Sequence, residues 1–404
     1  MAMNTTARSA APDNGSSLRR QRTVQTASRT GRGDSKRRDT ANGEAGKTPL
    51  VIASQGSFAV GGTVLKHPGT FDNSRFAGWE NPLETEQSYH ADHAAVDYQI
   101  PADAQPLPLV FVHGYGQSAR CWQTTPDGRE GFQTLMLRHG YGTYLVDLPG
   151  RGRAGRTTAE ANIKPHADEA LWFDIWRIGE YPHFNPGVQF PTDSASMEQF
   201  FRQMTPDLSD HSTETATASL RALFDRTEEA ILVTHSAGGL PGWLAAAENP
   251  NVRAVVSYEP GNCIFPEGEV PEPMPCLTGT LQGVGVPMEE FLRLTEIPIV
   301  LYFGDYIPEE ATGRPGGENW RVRLRMGREF VEAVNRHGGN AALVELPQIG
   351  IHGNTHFLMS DLNNDVLADL LHEWLRRKGL AHEMPNEEPR SPGTKDAIGR
   401  EANP

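Results

Sequence analysis

The residues best placed to do chemistry lie in the segment 231–239, which reads Ile-Leu-Val-Thr-His-Ser-Ala-Gly-Gly. An apolar, β-branched run ends there in a turn of small residues, and a helix-compatible segment, residues 240–248, follows it. A serine at the tip of a strand–turn–helix unit is held on a sharp, strained turn, with its hydroxyl oxygen above the end of the sheet. The segment therefore predicts that Ser236 is a nucleophile.

The turn departs from the usual Gly-x-Ser-x-Gly pattern at its first position, where Thr234 replaces glycine. Threonine is larger than glycine, so the turn is expected to be slightly more open. The alternative is an ordinary strand-to-helix connection that happens to contain a serine.

A serine hydroxyl needs a base, usually an imidazole, and a third group that orients the base. His356, in a loop of glycine and asparagine after the last predicted strand, is the candidate base, and His352 is the alternative. Two carboxylates, Glu259 and Asp305, follow successive strands. The pattern alone slightly favours Asp305 as the orienting acid, and the other carboxylate is expected to cap a helix or anchor a loop.

A second glycine-containing turn, residues 113–116 (His-Gly-Tyr-Gly), follows another short apolar strand. Glycines let the chain approach closely, so backbone N–H groups can converge on a developing oxyanion. The N–H groups of Tyr115 and Ala237 are the predicted oxyanion hole. The alternative is simply a tight turn, in which His113 would fix the turn rather than abstract a proton.

Strands and helices alternate along most of the chain, which is typical of the α/β class with right-handed crossovers and a mainly parallel sheet. Residues 50–53 and 57–60 are expected to form a hairpin. Further strands are predicted at residues 94–100, 107–112, 142–147, 230–234, 252–257, 297–303 and 341–346. Helices are predicted at residues 131–139, 213–226, 240–248, 320–336 and 366–377. Every candidate residue follows a strand, and ligands gather where the carboxyl ends of such strands open.

Residues 157–212 interrupt this alternation with aromatic side chains interleaved with prolines. They are interpreted as an inserted lid that roofs an apolar pocket, or equally as a segment that packs on the body of the domain. The predicted organisation is a disordered basic tail at 1–48, a domain at 49–380 that contains the insertion, and a disordered tail at 381–404.

Charge narrows the possible partners. The chain carries −14 overall, but residues 1–50 carry +6 and the rest −20. Such an acidic body disfavours nucleic acid and anionic membranes as partners.

No apolar run of eighteen residues occurs, so no membrane span is expected. Arginines at 19, 20 and 22 resemble a twin-arginine export signal. Such a signal needs an apolar segment after the arginines, and none follows them here. A soluble, cytoplasmic protein is favoured, with organelle targeting by the basic tail as the alternative.

The sequence offers little that would bind a metal or form a disulfide framework. Its three cysteines allow one bridge at most, and neither Cys-x-x-Cys nor His-Glu-x-x-His spacing occurs. No metal or other cofactor is expected, and nothing indicates an oligomeric state.

The order of these motifs resembles that of the α/β-hydrolase superfamily over roughly residues 50–378. The chain is most similar to a branch of bacterial carboxylesterases with a glutamate after strand six. The segments that carry this resemblance are residues 122–129, 150–153, 256–261 and 352–356. The resemblance implies that Glu259 is the acid and His356 the base, whereas the pattern alone slightly favours Asp305.

The expected protein is a lidded hydrolase that cleaves a small apolar or aromatic ester or lactone through an acyl-enzyme. A relative that cleaves carbon–carbon bonds or performs no hydrolysis, and a catalytically silent ligand-binding protein, are the alternatives. Fold resemblance does not by itself fix the substrate.

Overall fold

The computed structural model of the protein describes residues 48–67, 86–159, 163–208 and 213–382. Both predicted tails lie outside the described residues, apart from residue 48 and residues 381 and 382. The described residues form an eight-stranded sheet. Its strands, β1 to β8 in chain order, are Ile52–Val60, Ala94–Pro101, Leu109–Val112, Thr143–Asp147, Ala230–His235, Val252–Tyr258, Pro298–Phe303 and Asn340–Glu345. They lie in the order β1-β2-β4-β3-β5-β6-β7-β8.

Pairing is parallel from β3 to β8, and β2 pairs antiparallel with both β1 and β4. The prediction of a mainly parallel α/β sheet is therefore confirmed. The predicted hairpin at residues 50–60 is wrong, because Ile52–Val60 is one continuous strand that pairs with Ala94–Pro101. Gly56, which the sequence pattern predicts to lie in a turn, lies inside this strand, and the Tyr98 ring fills the space beside it.

Helices cover both faces of the sheet, which explains why the central strands are apolar without alternation. The described helices are α1 to α8, in chain order Phe132–Arg138, Glu169–Ile175, Ser194–Gln203, Thr213–Thr227, Gly239–Glu248, Met288–Arg293, Pro315–Arg336 and Asn364–Arg377. Successive strand residues point to opposite faces. One set packs in a core with α4, α5 and α7, and the other in a core with α1 and α8.

The segment 157–212, which the sequence predicts to be an insertion, holds α2 and α3 in its described residues. A small ribbon, Gly179–Glu180 with His183–Phe184, lies between these two helices in the chain. Four aromatic side chains of this segment are buried in the same core as α1 and α8: Phe173, Trp176, Phe190 and Phe200. These four pack on the body of the domain. Trp172 is only half-buried and Tyr181 is exposed.

Other short strands form two-stranded ribbons: Thr63–His67 with Gln87–Ala91, Ile264–Pro266 with Val284–Val286, and Met274–Cys276 with Gly279–Leu281. At the end of the described chain, the backbone N–H of His382 donates to the side chain of Gln105 over 2.8 Å. Within the described ranges, no helix combines the length and the apolar character that crossing a bilayer requires.

Candidate active site

Ser236 follows β5 directly and begins the short helical turn Ser236–Gly238, which leads into α5. Its φ is +53°, in the left-handed region that a residue with a side chain seldom adopts. The chain can turn this sharply because Gly238 passes close to β3. A Cβ at Gly238 would lie 2.5 Å from the carbonyl oxygen of His113. The local backbone thus has the strained strand-to-helix turn that the sequence predicts.

Thr234 fits where glycine is usual because two neighbours accommodate it. Its hydroxyl is hydrogen-bonded to that of Ser257 on the adjacent strand at 2.8 Å. Its methyl group faces Gly242 in α5, where an added Cβ would come within 2.6 Å of Thr234 Cγ2. The strand and the helix can therefore pack closely because the small residue at this contact is Gly242 of the helix, and not a glycine at position 234 of the strand.

The turn after β3 touches the turn after β5. A Cβ at Gly114 would lie 2.7 Å from Ser236 Cβ, so only glycine allows this approach. The Tyr115 N–H makes no hydrogen bond to a described residue, and Ala237 lies in the first helical turn, where N–H groups lack partners within the helix. Both residues are exposed beside Ser236, as a pair of oxyanion donors would need to be.

His356 and Glu259 meet in the interior. The His356 Nδ1 and a Glu259 carboxylate oxygen, Oε2, are 2.5 Å apart, and both side chains are at most 1% exposed. The His356 ring also packs against Trp320, with ring centroids 4.0 Å apart. Glu259, like Ser236, has a positive φ, +45°. With Nδ1 bonded to the carboxylate, Nε2 is the nitrogen left to accept a proton.

The environment keeps this pair in the charge state that a general base needs. Burial raises the pKa of Glu259, but the charge of Arg177 and the hydrogen bond with His356 outweigh burial and hold the pKa at about 2. Burial lowers the pKa of His356 to about 4, although its bond to Glu259 and the charge of that carboxylate act in the opposite direction. At neutral pH, Glu259 is therefore ionised and His356 is neutral.

The residue that precedes Ser236, His235, contacts His356 directly. His235 Nε2 is 2.8 Å from the backbone oxygen of His356, and the two imidazole centroids are 4.4 Å apart. Gly261, two residues after Glu259, donates its N–H to the backbone oxygen of Ser236 over 2.8 Å. The Ser236 hydroxyl makes no hydrogen bond with a described residue, and such bonds often form only when substrate is bound.

The two alternative candidates form a separate pair. His352 Nδ1 lies 3.4 Å from Asp305 Oδ2, and the His352 side chain is 67% exposed. The Asp305 carboxylate also accepts the backbone N–H groups of Gly353 at 2.8 Å and of Tyr306 at 2.7 Å. Asp305 therefore anchors the loop that carries His356, and Glu259 is the carboxylate that contacts the His356 ring.

His113 is occupied with its own turn. Its Nε2 accepts the N–H of Leu148 at 3.2 Å, and its Nδ1 is 2.9 Å from the oxygen of Gly114. Burial lowers its pKa to about 4.

Arg177 contacts the candidate site but is not among the residues that the sequence predicts there. Its guanidinium donates to both carboxylate oxygens of Glu259, and the Arg177 side chain is only 2% exposed. Nothing local in the sequence links an arginine in the insertion to a glutamate 82 residues later. A fully buried carboxylate needs a partner of opposite charge. This requirement predicts that some cation lies beside Glu259, but it does not identify Arg177.

No group of three or more His, Cys, Asp or Glu side chains arranged to hold a metal ion occurs among the described residues. The candidate site therefore comprises a serine on a strained turn, the buried pair of a neutral imidazole and an ionised carboxylate, and the backbone N–H groups of two exposed residues. This set can perform nucleophilic acyl transfer.

The protein belongs to the alpha/beta hydrolase family, whose family model matches residues 109–389. A solved structure described as a novel bacterial esterase is 31% identical and superimposes with a TM-score of 0.66, covering 82% of this chain and 98% of the esterase. A probable secreted lipase, phiG, of Fungal sp. (strain ATCC 74256) is 26% identical over 320 residues, which are 70% of this chain and 85% of the lipase.

Proposed function

We propose that the protein is a serine carboxylic-ester hydrolase that works through an acyl-enzyme. The observation that carries the proposal is the buried His356–Glu259 pair, hydrogen-bonded at 2.5 Å and packed against the residue that precedes Ser236. The similarity to a bacterial esterase and to a probable lipase supports ester substrates over the other chemistries of this fold.

In the proposed cycle, the Ser236 hydroxyl oxygen attacks the ester carbonyl carbon and its proton passes to His356 Nε2. The oxyanion of the tetrahedral intermediate is held by the N–H groups of Ala237 and Tyr115. His356 then returns the proton to the alcohol oxygen as the carbon–oxygen bond breaks. A water molecule repeats the sequence on the acyl-enzyme, which releases the carboxylic acid and restores the serine. Glu259 stays ionised throughout and stabilises the imidazolium.

An aromatic row supports an apolar or aromatic acyl or alcohol group. The Tyr115 ring, which is 48% exposed, packs on Trp172 with centroids 5.1 Å apart, and Trp172 packs on Trp176 at 5.2 Å. Trp176 in turn contacts Phe357, the residue after His356. This row runs from the proposed oxyanion loop to the residue after the proposed base. Trp176 and Phe357 are buried in it, so the accessible Tyr115 and Trp172 rings are the ones that a substrate bound at Ser236 would contact.

A fluorophosphonate probe tests the nucleophile, because it phosphonylates only an activated serine and releases fluoride. We expect one labelled peptide, containing Ser236, and a panel of p-nitrophenyl esters to be hydrolysed. Ser236→Ala should abolish labelling and turnover, whereas Ser88→Ala, at an exposed serine in a surface ribbon, should retain both. Absence of labelling in the folded wild-type protein, or turnover by Ser236→Ala, would refute the proposal.

A further inference from the structure

Three consecutive residues of the insertion, Ile175, Trp176 and Arg177, each bind a different part of the proposed site. The Ile175 oxygen accepts the indole N–H of Trp320, the residue stacked on the His356 ring, over 2.6 Å. The Trp176 oxygen accepts the backbone N–H of His356 over 3.0 Å. The side chain of Arg177 binds Glu259. The insertion is thus attached to the proposed base and to the proposed acid at once.

Arg177 forms hydrogen bonds with both oxygens of the Glu259 carboxylate. Its Nη2 donates to Oε1, which also accepts the Gly304 N–H at 2.7 Å, and its Nη1 donates to Oε2 over 3.0 Å. Oε2 then has its second contact with His356 Nδ1. A bidentate arginine fixes the plane of a carboxylate as well as its charge. The carboxylate cannot rotate away from the imidazole without breaking these bonds.

Arg177 is itself held in place. Its Nε donates to the backbone oxygen of Asp305 over 2.8 Å, and its own carbonyl accepts the side-chain amide of Asn185 over 2.7 Å. Its φ is +57°, a conformation that a residue with a side chain rarely adopts unless its surroundings impose it. Ion pairs of exposed arginines contribute little, but this pair is fully desolvated, and removal of one partner would leave a buried charge.

We propose that Arg177 is a positioning residue of the catalytic site, which orients Glu259 toward His356, so that the insertion is an integral part of the active centre. This inference rests on the proposed function, since it assigns Arg177 a role in the same triad. Its charge also acts on both members of the pair in one direction. Arg177 lowers the pKa of Glu259 and that of His356.

Arg177→Met tests the inference through the pH profile. Both pKa values should rise when the cation is removed, and activity requires both groups to be deprotonated. The acid limb of kcat/KM should therefore move to higher pH, by about one unit or more. The kcat at its optimum should fall on the order of 10- to 100-fold, by analogy with the loss seen when the partner that orients a metal-ligating histidine is removed. The KM should change by less than about threefold, because Arg177 touches Glu259 and not the proposed substrate row.

Arg314→Met is the matched control. Arg314 joins Asp174 of the same insertion to the start of α7 over 2.7 Å but does not contact Glu259. It should leave the acid limb in place even where it lowers the melting temperature. Arg177→Lys keeps the charge and loses the fork, so its acid limb should stay near that of the wild type. Equal acid-limb shifts in Arg177→Met and Arg314→Met, or no shift in a folded Arg177→Met, would overturn the inference.

If Arg177→Met does not fold, the double variant Arg177→Met/Glu259→Gln decides the matter, because it leaves no unpaired charge in the interior. An arginine that acts through Glu259 should have no further role once the carboxylate is gone. The double variant should then match the kcat of Glu259→Gln within about threefold. A further loss of tenfold or more would contradict the inference.

An NMR titration separates this inference from the proposed function. The imidazole resonances of His356 should titrate at higher pH in Arg177→Met than in the wild type, whether or not the protein hydrolyses esters. A wild-type protein without ester turnover but with this shift would refute only the proposed function. An active wild type in which the His356 titration is unchanged by the variant would refute only the role of Arg177.

Discussion

Glu259 and His356 are 97 residues apart in sequence and share a 2.5 Å hydrogen bond inside the protein. Glu259 follows β6 and His356 lies in the loop after β8, with β7 between these strands. Gly304, directly after β7, lies between the two residues and donates its backbone N–H to Glu259. A Cβ at Gly304 would lie 2.8 Å from the Asn354 oxygen and 3.1 Å from Glu259 Oε1. The loop can therefore approach only because this residue is glycine.

This arrangement predicts unequal effects for the two strand-end carboxylates. Glu259→Gln keeps the shape but removes the charge that stabilises the imidazolium, so kcat should fall by about 10³-fold or more. Asp305→Asn weakens only the anchoring of the loop and should cost less than about tenfold. Steady-state kinetics on one p-nitrophenyl ester, with circular dichroism as the folding control, compare them. A larger loss in Asp305→Asn would assign the acid to Asp305 instead.

The acid limb of the pH profile is expected unusually low. An ordinary histidine would give a midpoint near pH 6.5. Burial lowers the pKa of His356 to about 4, and the protonated imidazole cannot accept the serine proton. Activity should thus be lost only as the pH falls through about 4. Measuring kcat/KM from pH 3.5 to 8, with far-UV circular dichroism at each pH, checks this. A midpoint near 6.5 in the folded protein would show that His356 is more solvated than its position here implies.

The contact between the two turns predicts that Gly114→Ala damages catalysis. The new methyl group would overlap Ser236 Cβ, so the turns must separate and the Tyr115 N–H must move. Loss of an oxyanion donor costs about 10²–10³-fold in kcat, and we expect a loss of that order. Gly155→Ala, where the added Cβ meets only the end of the Leu208 side chain, is the control. Near wild-type kcat in Gly114→Ala would exclude Tyr115 as a donor.

Sequence patterns predicted the parts of this molecule that depend on local physics. Apolar runs bounded by turn residues located seven of the eight sheet strands to within two residues of their observed ends. The remaining strand, Ile52–Val60, is predicted as two shorter strands because the run Ser54-Gln55-Gly56 is typical of a turn. In the structure, pairing with Ala94–Pro101 keeps this run extended. Tertiary pairing overrode the local preference there.

The choice between carboxylates was beyond local pattern for a related reason. Glu259 and Asp305 both follow a strand, and only the register of β6, β7 and β8 decides which one reaches His356. Arg177 was less accessible still, because it lies in the insertion, where no strand–helix alternation constrains its position. The family resemblance implies that Glu259 is the acid, whereas neither the local pattern nor the resemblance points to Arg177.

The aromatic row predicts a selectivity effect for Trp172. Its ring lies between the exposed Tyr115 ring and the buried Trp176 ring. An aromatic contact contributes about 0.5–1.5 kcal/mol, so Trp172→Ala should reduce kcat/KM for a phenylacetyl ester relative to an acetyl ester by about 2- to 10-fold. Tyr181→Ala removes an exposed aromatic of the same insertion that packs on Phe173, and should leave the ratio unchanged. An unchanged ratio in Trp172→Ala would place the substrate elsewhere.

The relation between Thr234 and Gly242 gives a prediction about stability that requires no substrate. Gly242→Ala should destabilise the wild type, because the new methyl group meets Thr234 Cγ2 in a fully buried contact. Thr234→Gly should also destabilise it, by about 1–3 kcal/mol, since Ser257 loses its buried partner. In the Thr234→Gly background, however, the closest remaining neighbour of the added methyl group is Leu232 Cδ2, the end of a flexible side chain, at 3.3 Å. There, Gly242→Ala should stabilise by up to about 1 kcal/mol, because alanine is the better helix former. Urea unfolding of the four proteins measures the coupling. Additive effects would mean that the two residues do not share the space that fits threonine into this turn.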